Sequence, residues 1–202
     1  MASANIDYKS THFEYPVLTK IHGPPTYETL TQLLNEIKAN ASSVPSSLGG
    51  GGHGHLGLVI PPAQYALLSN FPYVRPRQPP PFFLPPNTDP QVAQMLRESH
   101  MENLRTFREF IGVENALKQQ IVAAIDANWL QAVRNPIANS ITMPVLEVIQ
   151  YLYRIHGKIT PDILHEKEVA ISTMAYDPIA PIDNVFTAVQ ELTDMAAMAG
   201  VP

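Results

Sequence analysis

The stretch DPQVAQMLRESHMENLRTFREFIG, residues 89–112, gives the clearest indication of the fold. Asp89 is a residue type that caps the first turn of a helix, and Pro90 suits the first helical position. Gly112 is a residue type at which helices commonly end. Apolar side chains recur between them every three or four residues, at Val92, Met95, Leu96, Leu104, Phe107 and Ile111. The stretch therefore predicts a helix over residues 90–111.

The same periodicity predicts helices on both sides of this stretch. Thr26 can cap one that carries Leu30, Leu33 and Ile37 on a single face. Gly157 and Gly200 are expected to follow the ends of two others. The helices expected besides 90–111 cover about 27–39, 114–134, 144–156, 160–174 and 183–199, with a break at 177–181 and a short helix from Pro61-Pro62 to about Ser69.

Prolines and glycines crowd the first half of the chain and interrupt regular structure there. Residues 1–25 are predicted to form an N-terminal arm, and residues 40–55 a loop rich in serine and glycine. Residues 56–60 form a short apolar run, which indicates a strand or a buried extended segment. Residues 70–88 are expected to be an irregular connection rich in proline. The predicted fold class is mainly α, with a proline- and glycine-rich first half.

Composition restricts the classes of partner. The chain has 202 residues, 45% hydrophobic and 15% charged, and a net charge of −5 with its 13 Lys and Arg residues scattered. A domain that grips nucleic acid usually carries a basic patch, so RNA is expected to be bound only indirectly or through segments outside this chain. The absence of cysteine excludes disulfides and zinc knuckles. Neither a signal peptide nor a membrane span is apparent, so a cytoplasmic protein is expected.

The segment from Gly49 to His55 is the most conspicuous candidate site. A phosphate-binding loop needs a helix start and usually a Lys followed by Ser or Thr, and neither is present. His53 and His55 form an H-x-H pair that could supply two ligands to a metal ion, but a closed site needs more. The other histidines lie far away in sequence. We therefore predict a flexible or tightly turned loop whose histidines bond to backbone groups, and no metal ligand.

Other patterns typical of enzymes are absent, since neither G-x-S-x-G nor H-E-x-x-H occurs. The carboxylates of Glu98, Glu102, Glu109 and Glu114 are expected to be exposed neighbours of arginines. The aromatic side chains of Trp129, Tyr151 and Tyr153 are expected to pack in the core. No catalytic, cofactor-binding or metal-ligating residue is assigned, and no cofactor is expected.

The helical part also resembles a known family. The residues that carry the resemblance are AAIDANWL (123–130) with Arg134-Asn135-Pro136, VLEVIQYL (145–152) with HGKIT (156–160), and MAYDPIAPIDNVF (174–186). HGHLGL (53–58), Tyr65 and YVRP (73–76) belong to the same pattern. This order resembles the Gag-like (capsid) proteins of copia-type LTR retrotransposons.

The resemblance implies a capsid N-terminal-like helical domain over residues 26–157 and the start of a C-terminal-like one over residues 158–202. The second would be incomplete, because two helices are a small core for an independent domain. The implied function is a structural protein, not an enzyme, that self-assembles into virus-like particles or related oligomers enclosing retroelement RNA. Contacts between copies are expected at the arm, at residues 40–55 and at the last two helices.

Two alternatives remain open. One is a domesticated or unrelated helical scaffold, filament or partner-binding module that uses the proline run as a ligand for an aromatic groove. The other is a metalloenzyme that depends on His53 and His55. The expected partner is the chain itself, as a homo-oligomer, with neither a membrane nor a small-molecule substrate.

Overall fold

A computed structural model of the chain describes residues 7–174 and 182–199, and within them the fold is mainly helical, as predicted. The expected break at 177–181 lies outside the described residues. The α-helices are α1 (Tyr8–Thr11), α2 (Tyr27–Ser43), α3 (Pro62–Tyr65), α4 (Pro90–Ala124), α5 (Val145–His156), α6 (Pro161–Ser172) and α7 (Asp183–Ala199). Three short 3₁₀ helices cover Leu48–Gly50, Leu56–Leu58 and Ala127–Val133.

The core lies between α2, the second half of α4 and α5. Thr26 caps α2 as predicted, because its side chain accepts a hydrogen bond from the backbone N–H of Thr29. The predicted face of α2 is buried at Leu30, Leu33 and Ile37. Opposite it lie buried apolar residues of the other two helices: Phe110, Val113, Leu117, Ile121, Val145, Val148, Ile149 and Leu152.

Helix α4 is a single rod of 35 residues, so the prediction of two helices meeting at Gly112 is wrong. A glycine inside a helix costs about 1 kcal/mol relative to alanine. Burial of Phe110, Val113 and Leu117 on either side of Gly112 outweighs that cost. The predicted helix 114–134 is wrong as well, because α4 ends at Ala124.

The end of α4 is fixed by the N-terminal arm. Ile125 is extended, the N–H of Ile21 donates to the carbonyl of Ala124 at 2.8 Å, and Ile21 forms an isolated parallel bridge with Ile125. The chain then continues as the 3₁₀ helix Ala127–Val133, which buries Leu130 and Val133. A long-range contact therefore overrides the helical periodicity beyond residue 124.

The run 56–60 is buried but is not a strand. Leu56–Leu58 is one 3₁₀ turn, followed by helix α3, which ends at Tyr65 rather than near Ser69. Each backbone N–H from Leu58 to Ile60 donates to a carbonyl of residue 55 or 56, so these N–H groups bond within the turn rather than to a neighbouring strand. Residues 70–88 are irregular, as predicted.

The arm packs on the core through Tyr8, Phe13, Leu18 and Ile21. Polar side chains hold its backbone. Asn40 accepts from the N–H of Tyr15 and donates to its carbonyl, and Gln120 donates to the same carbonyl. Asn40 also donates to Gln120. The polar groups of these two buried amides are thereby satisfied, and they fix the arm at Tyr15.

Candidate functional site

His55 is the centre of a buried polar cluster in the first half of the chain. Gly54 precedes it with φ of +52°, and a β-carbon there would lie 2.5 Å from the carbonyls of Ser42 and Val44. Because only glycine fits this turn, the chain approaches α2 closely and the N–H of His55 donates to the carbonyl of Ala41. The side chain of His55 is completely buried.

Both ring nitrogens of His55 have partners. Nδ1 lies 2.9 Å from the hydroxyl of Tyr73, and Nε2 lies 3.3 Å from Oε1 of Glu109 in α4. A neutral ring fits both contacts, because Nε2–H donates to the carboxylate while the Tyr73 hydroxyl donates to Nδ1. Burial lowers the pKa of His55, and Glu109 opposes that shift.

A buried carboxylate, that of Glu114, lies five residues further along α4. Glu114 is only 2% exposed, and its Oε2 accepts from the guanidinium of Arg75 at 2.6 Å. Its Oε1 lies 3.8 Å from Nζ of Lys118 and accepts no hydrogen bond. Arg75 also lies over the ring of Phe110, 5.1 Å from its centre. Burying an unpaired carboxylate is costly in free energy, and the positive charge of Arg75 offsets that cost.

The cluster joins three parts of the chain that are distant in sequence. His55 comes from the glycine-rich loop, Tyr73 and Arg75 from the irregular connection, and Glu109 and Glu114 from α4. Burial raises the pKa of Tyr73, so its hydroxyl stays protonated at neutral pH. With both nitrogens bonded and no exposed surface, His55 in this conformation holds segments together and cannot contact a ligand from solvent.

The two histidines of the H-x-H pair have separate partners. Nε2 of His53 lies 3.1 Å from the carbonyl of Leu68, so His53 bonds to the backbone as predicted. His55 does not, since its partners are side chains. Among residues 7–174 and 182–199, no three His, Asp or Glu side chains are grouped closely enough to hold a metal ion.

The α4 carboxylates divide into two sets. Glu102 pairs with Arg105 at 2.7 Å on the exposed surface, as predicted. The prediction is wrong for Glu114, which is buried, and for Glu109, which is partly buried against His55. Glu114 was expected to be exposed because arginines lie near it in the sequence. Its position between Val113 and Leu117, on the face of α4 that enters the core, indicated burial instead.

A second feature is the outer half of α4, residues 90–108. The stripe that enters the core at Phe110, Val113, Leu117 and Ile121 continues outward at spacings of three and four, through Thr106, Asn103, Ser99, Leu96 and Val92. Of residues 90–109, all of them described, only Ala93 is buried. Met95, beside the stripe, is 69% exposed. The stripe is polar at Ser99, Asn103 and Thr106, so the outer half carries an exposed apolar patch at its N-terminal end, formed by Val92, Met95 and Leu96.

Part of that face lies under the proline-rich connection. Residues 76–83 and the α4 residues Leu96, Ser99, His100, Asn103 and Thr106 line an open groove of about 670 Å³. Phe82 contacts His100 at the end of the groove, with ring centres 5.2 Å apart. Phe83 and Met95 remain largely exposed nearby. The groove and its rim therefore form a mixed apolar and polar surface that this chain does not fill.

Comparison of the chain with protein-family models, with curated proteins and with solved structures finds no match. Within the described ranges, no helix has the length and apolar character needed to cross a bilayer.

Proposed function

We propose that the protein is a structural subunit of the Gag, or capsid, type that associates with copies of itself into virus-like particles or related oligomers. The observation that carries the proposal is the outer half of α4. An amphipathic helix normally turns its apolar face to a core, and an exposed apolar face is typical of an interaction surface. Here Val92, Met95 and Leu96 form an exposed apolar patch at the N-terminal end of α4.

Exposed apolar side chains on two other helices support the same interpretation. On α6 and α7, Val169, Phe186 and Val189 are substantially exposed. Repeated assembly needs two surfaces that meet by a fixed symmetry operation, whereas a closed dimer needs one. Contacts made many times can each be weak, so modest patches suffice. In this proposal residues 26–157 form the capsid N-terminal-like domain, and residues 158–202 begin the C-terminal-like one.

The charge distribution bears on the proposed RNA cargo. The chain carries a net charge of −5, and Arg75, Arg105 and Lys167 are paired with Glu114, Glu102 and Glu28. The other basic side chains are scattered along an acidic chain and form no concentrated patch in the sequence to neutralise phosphates. The proposed cytoplasmic particle would enclose its RNA through many copies together or through segments outside this chain.

Light scattering during size-exclusion chromatography tests the proposal. The mass should rise with protein concentration from micromolar to millimolar and vary with salt, and electron microscopy should show regular particles or oligomers. A chain that stays monomeric at high concentration across a range of salt overturns it.

A partner-binding module is the second candidate, favoured by the position of the proline-rich connection. The connection is held at one end by the contacts of Tyr73 and Arg75 and at the other by Phe82 on His100, so residues 76–81 lie mostly exposed between two anchors. Proline-rich segments without helical structure suit aromatic grooves. This candidate requires a binding partner that is retained when self-association is abolished.

A further inference from the structure

The α6–α7 pair lies against α2 across a cleft of about 970 Å³. The α2 side of the cleft is polar, with Glu28, Gln32 and Asn35, while the opposite side is apolar, with Ile171, Leu192 and Met195. An ion pair crosses it, between Nζ of Lys167 and Oε1 of Glu28 at 2.6 Å. Charge therefore sets where the α6–α7 pair lies on α2, and close packing does not fill the space between them.

This contact within one chain is weak. Lys167 and Glu28 are 44% and 52% exposed, and ion pairs that exposed contribute about 0–1 kcal/mol. Among the α6 and α7 residues whose burial is described, only Leu164 and Met195 are buried. An open space of this size also forfeits the close contacts that stabilise a packed interface. Little free energy therefore opposes separation of the α6–α7 pair from α2.

The connection to the rest of the chain is short. Four non-helical residues, 157–160, join α5 to α6 and reach at most about 14 Å when extended. Gly157 is packed against Tyr153, where a β-carbon would lie 2.8 Å from the Tyr153 carbonyl. Short connections between elements favour the exchange of those elements between copies.

We propose that the α6–α7 pair is exchanged between copies, so that Lys167 of one copy pairs with Glu28 of another. The proposal rests on the self-association proposed above: between copies already held together at the outer half of α4, exchange adds a second contact. Exchange needs no new complementary surface, because the contacts made between copies are the ones already present within a copy. The complementary charges of α2 and α6 fix the position of the exchanged pair.

Charge reversal with two tags tests the exchange. Glu28→Lys and Lys167→Glu place like charges across the cleft when each variant is alone. In a mixed dimer with exchanged pairs, the introduced lysine meets the introduced glutamate at one cleft, and the native Glu28 meets the native Lys167 at the other. Both clefts are then complementary. When the two variants are co-expressed, the ratio of mixed to unmixed dimers should be about fivefold higher than for two differently tagged wild-type chains. Contact within one chain predicts no change on mixing.

The double variant Glu28→Lys with Lys167→Glu serves as the control and keeps the test valid if a single variant fails to fold. Alone it should associate like the wild type, and mixed with wild type it should give about fivefold fewer mixed dimers. If both experiments give a statistical mixture of dimers, the exchange is overturned. If light scattering still shows that the wild-type chain associates, the proposed function is unaffected by that result. A monomeric wild-type chain overturns both.

Discussion

The ring of Tyr8 in the N-terminal arm lies directly against Gly112 in the middle of α4. A β-carbon placed on Gly112 would be 2.7 Å from Cε2 of Tyr8 and 3.3 Å from its hydroxyl oxygen. Real β-carbons do not approach a neighbour at 2.7 Å. The glycine therefore provides space for the arm and does not terminate the helix.

Gly112→Ala should destabilise the protein by about 1 kcal/mol or more, because the ring of Tyr8 has to move. The same change in a Tyr8→Ala background should instead stabilise it by up to about 1 kcal/mol, since alanine is the better helix former. Urea unfolding of the four proteins measures both values. Equal effects of Gly112→Ala in the two backgrounds would show that Tyr8 and Gly112 are not coupled.

His55→Ala should lower the free energy of unfolding by about 2–4 kcal/mol, because it leaves the Tyr73 hydroxyl and the Glu109 carboxylate without their partner and opens a cavity in a buried site. The matched control is His53→Ala, which removes one partly exposed contact to the Leu68 carbonyl and should cost less than about 1 kcal/mol. Chemical denaturation of both variants gives the comparison. Similar losses for the two would contradict the central role of His55.

Stability should decrease as pH falls below about 6.5, since burial holds the pKa of His55 below its ordinary value and the unfolded chain takes up a proton first. The neutral ring's contribution is complete above about pH 6.5 and is lost as pH falls through the folded pKa, with a slope of at most about 1.4 kcal/mol per pH unit. Unfolding should be measured from about pH 5 to 8 for the wild type and for His55→Gln. An unchanged slope in the variant would assign the dependence to other groups.

Arg75→Ala should cost about 2 kcal/mol, because it leaves Glu114 charged and buried. This value lies below the usual loss for a buried pair, since Arg75 is half exposed. Adding Glu114→Gln should recover part of the loss, and Arg77→Ala, at an exposed residue nearby, should have little effect. Thermal unfolding of the four proteins would reveal the pattern, and no recovery in the double variant would count against the ion pair.

Met95→Glu should weaken self-association at least about tenfold if the outer half of α4 forms the contact, because a charge would enter an apolar interface. Met101→Glu is the matched control. Met101 is 62% exposed on the same half of the helix, but it points away from the stripe. Sedimentation velocity over a concentration series compares the two variants. Equal weakening by both would place the contact elsewhere.

Local signals in the sequence predicted much of the helical structure. The predicted caps at Thr26 and Asp89 are present, and α2, α5, α6 and α7 lie close to their predicted ranges. These features depend on residues that are neighbours in sequence, so a local sequence pattern is enough to predict them. The attachment of the arm was not evident from its own sequence, because the side chains that bond to its backbone, Asn40 and Gln120, lie outside it.

The errors have a common physical origin in long-range contacts. Gly112 lies inside a helix because Tyr8 packs there, and α4 stops at Ala124 because Ile21 bonds to it. The cluster around His55 was missed for the same reason, since Tyr73 and Glu109 are distant in sequence. Periodicity describes one element at a time and contains no information about which elements meet.

The bonding of the arm to the end of α4 has a consequence for biosynthesis. Gln120 donates to the carbonyl of Tyr15, 105 positions earlier in the chain. Ribosomes add about 5–20 residues per second, so the arm leaves the ribosome roughly 5–20 seconds before its partner has been made. During that interval α4 is not available to the arm, and the nascent chain displays Phe13 and Leu18 to chaperones and to neighbouring nascent chains.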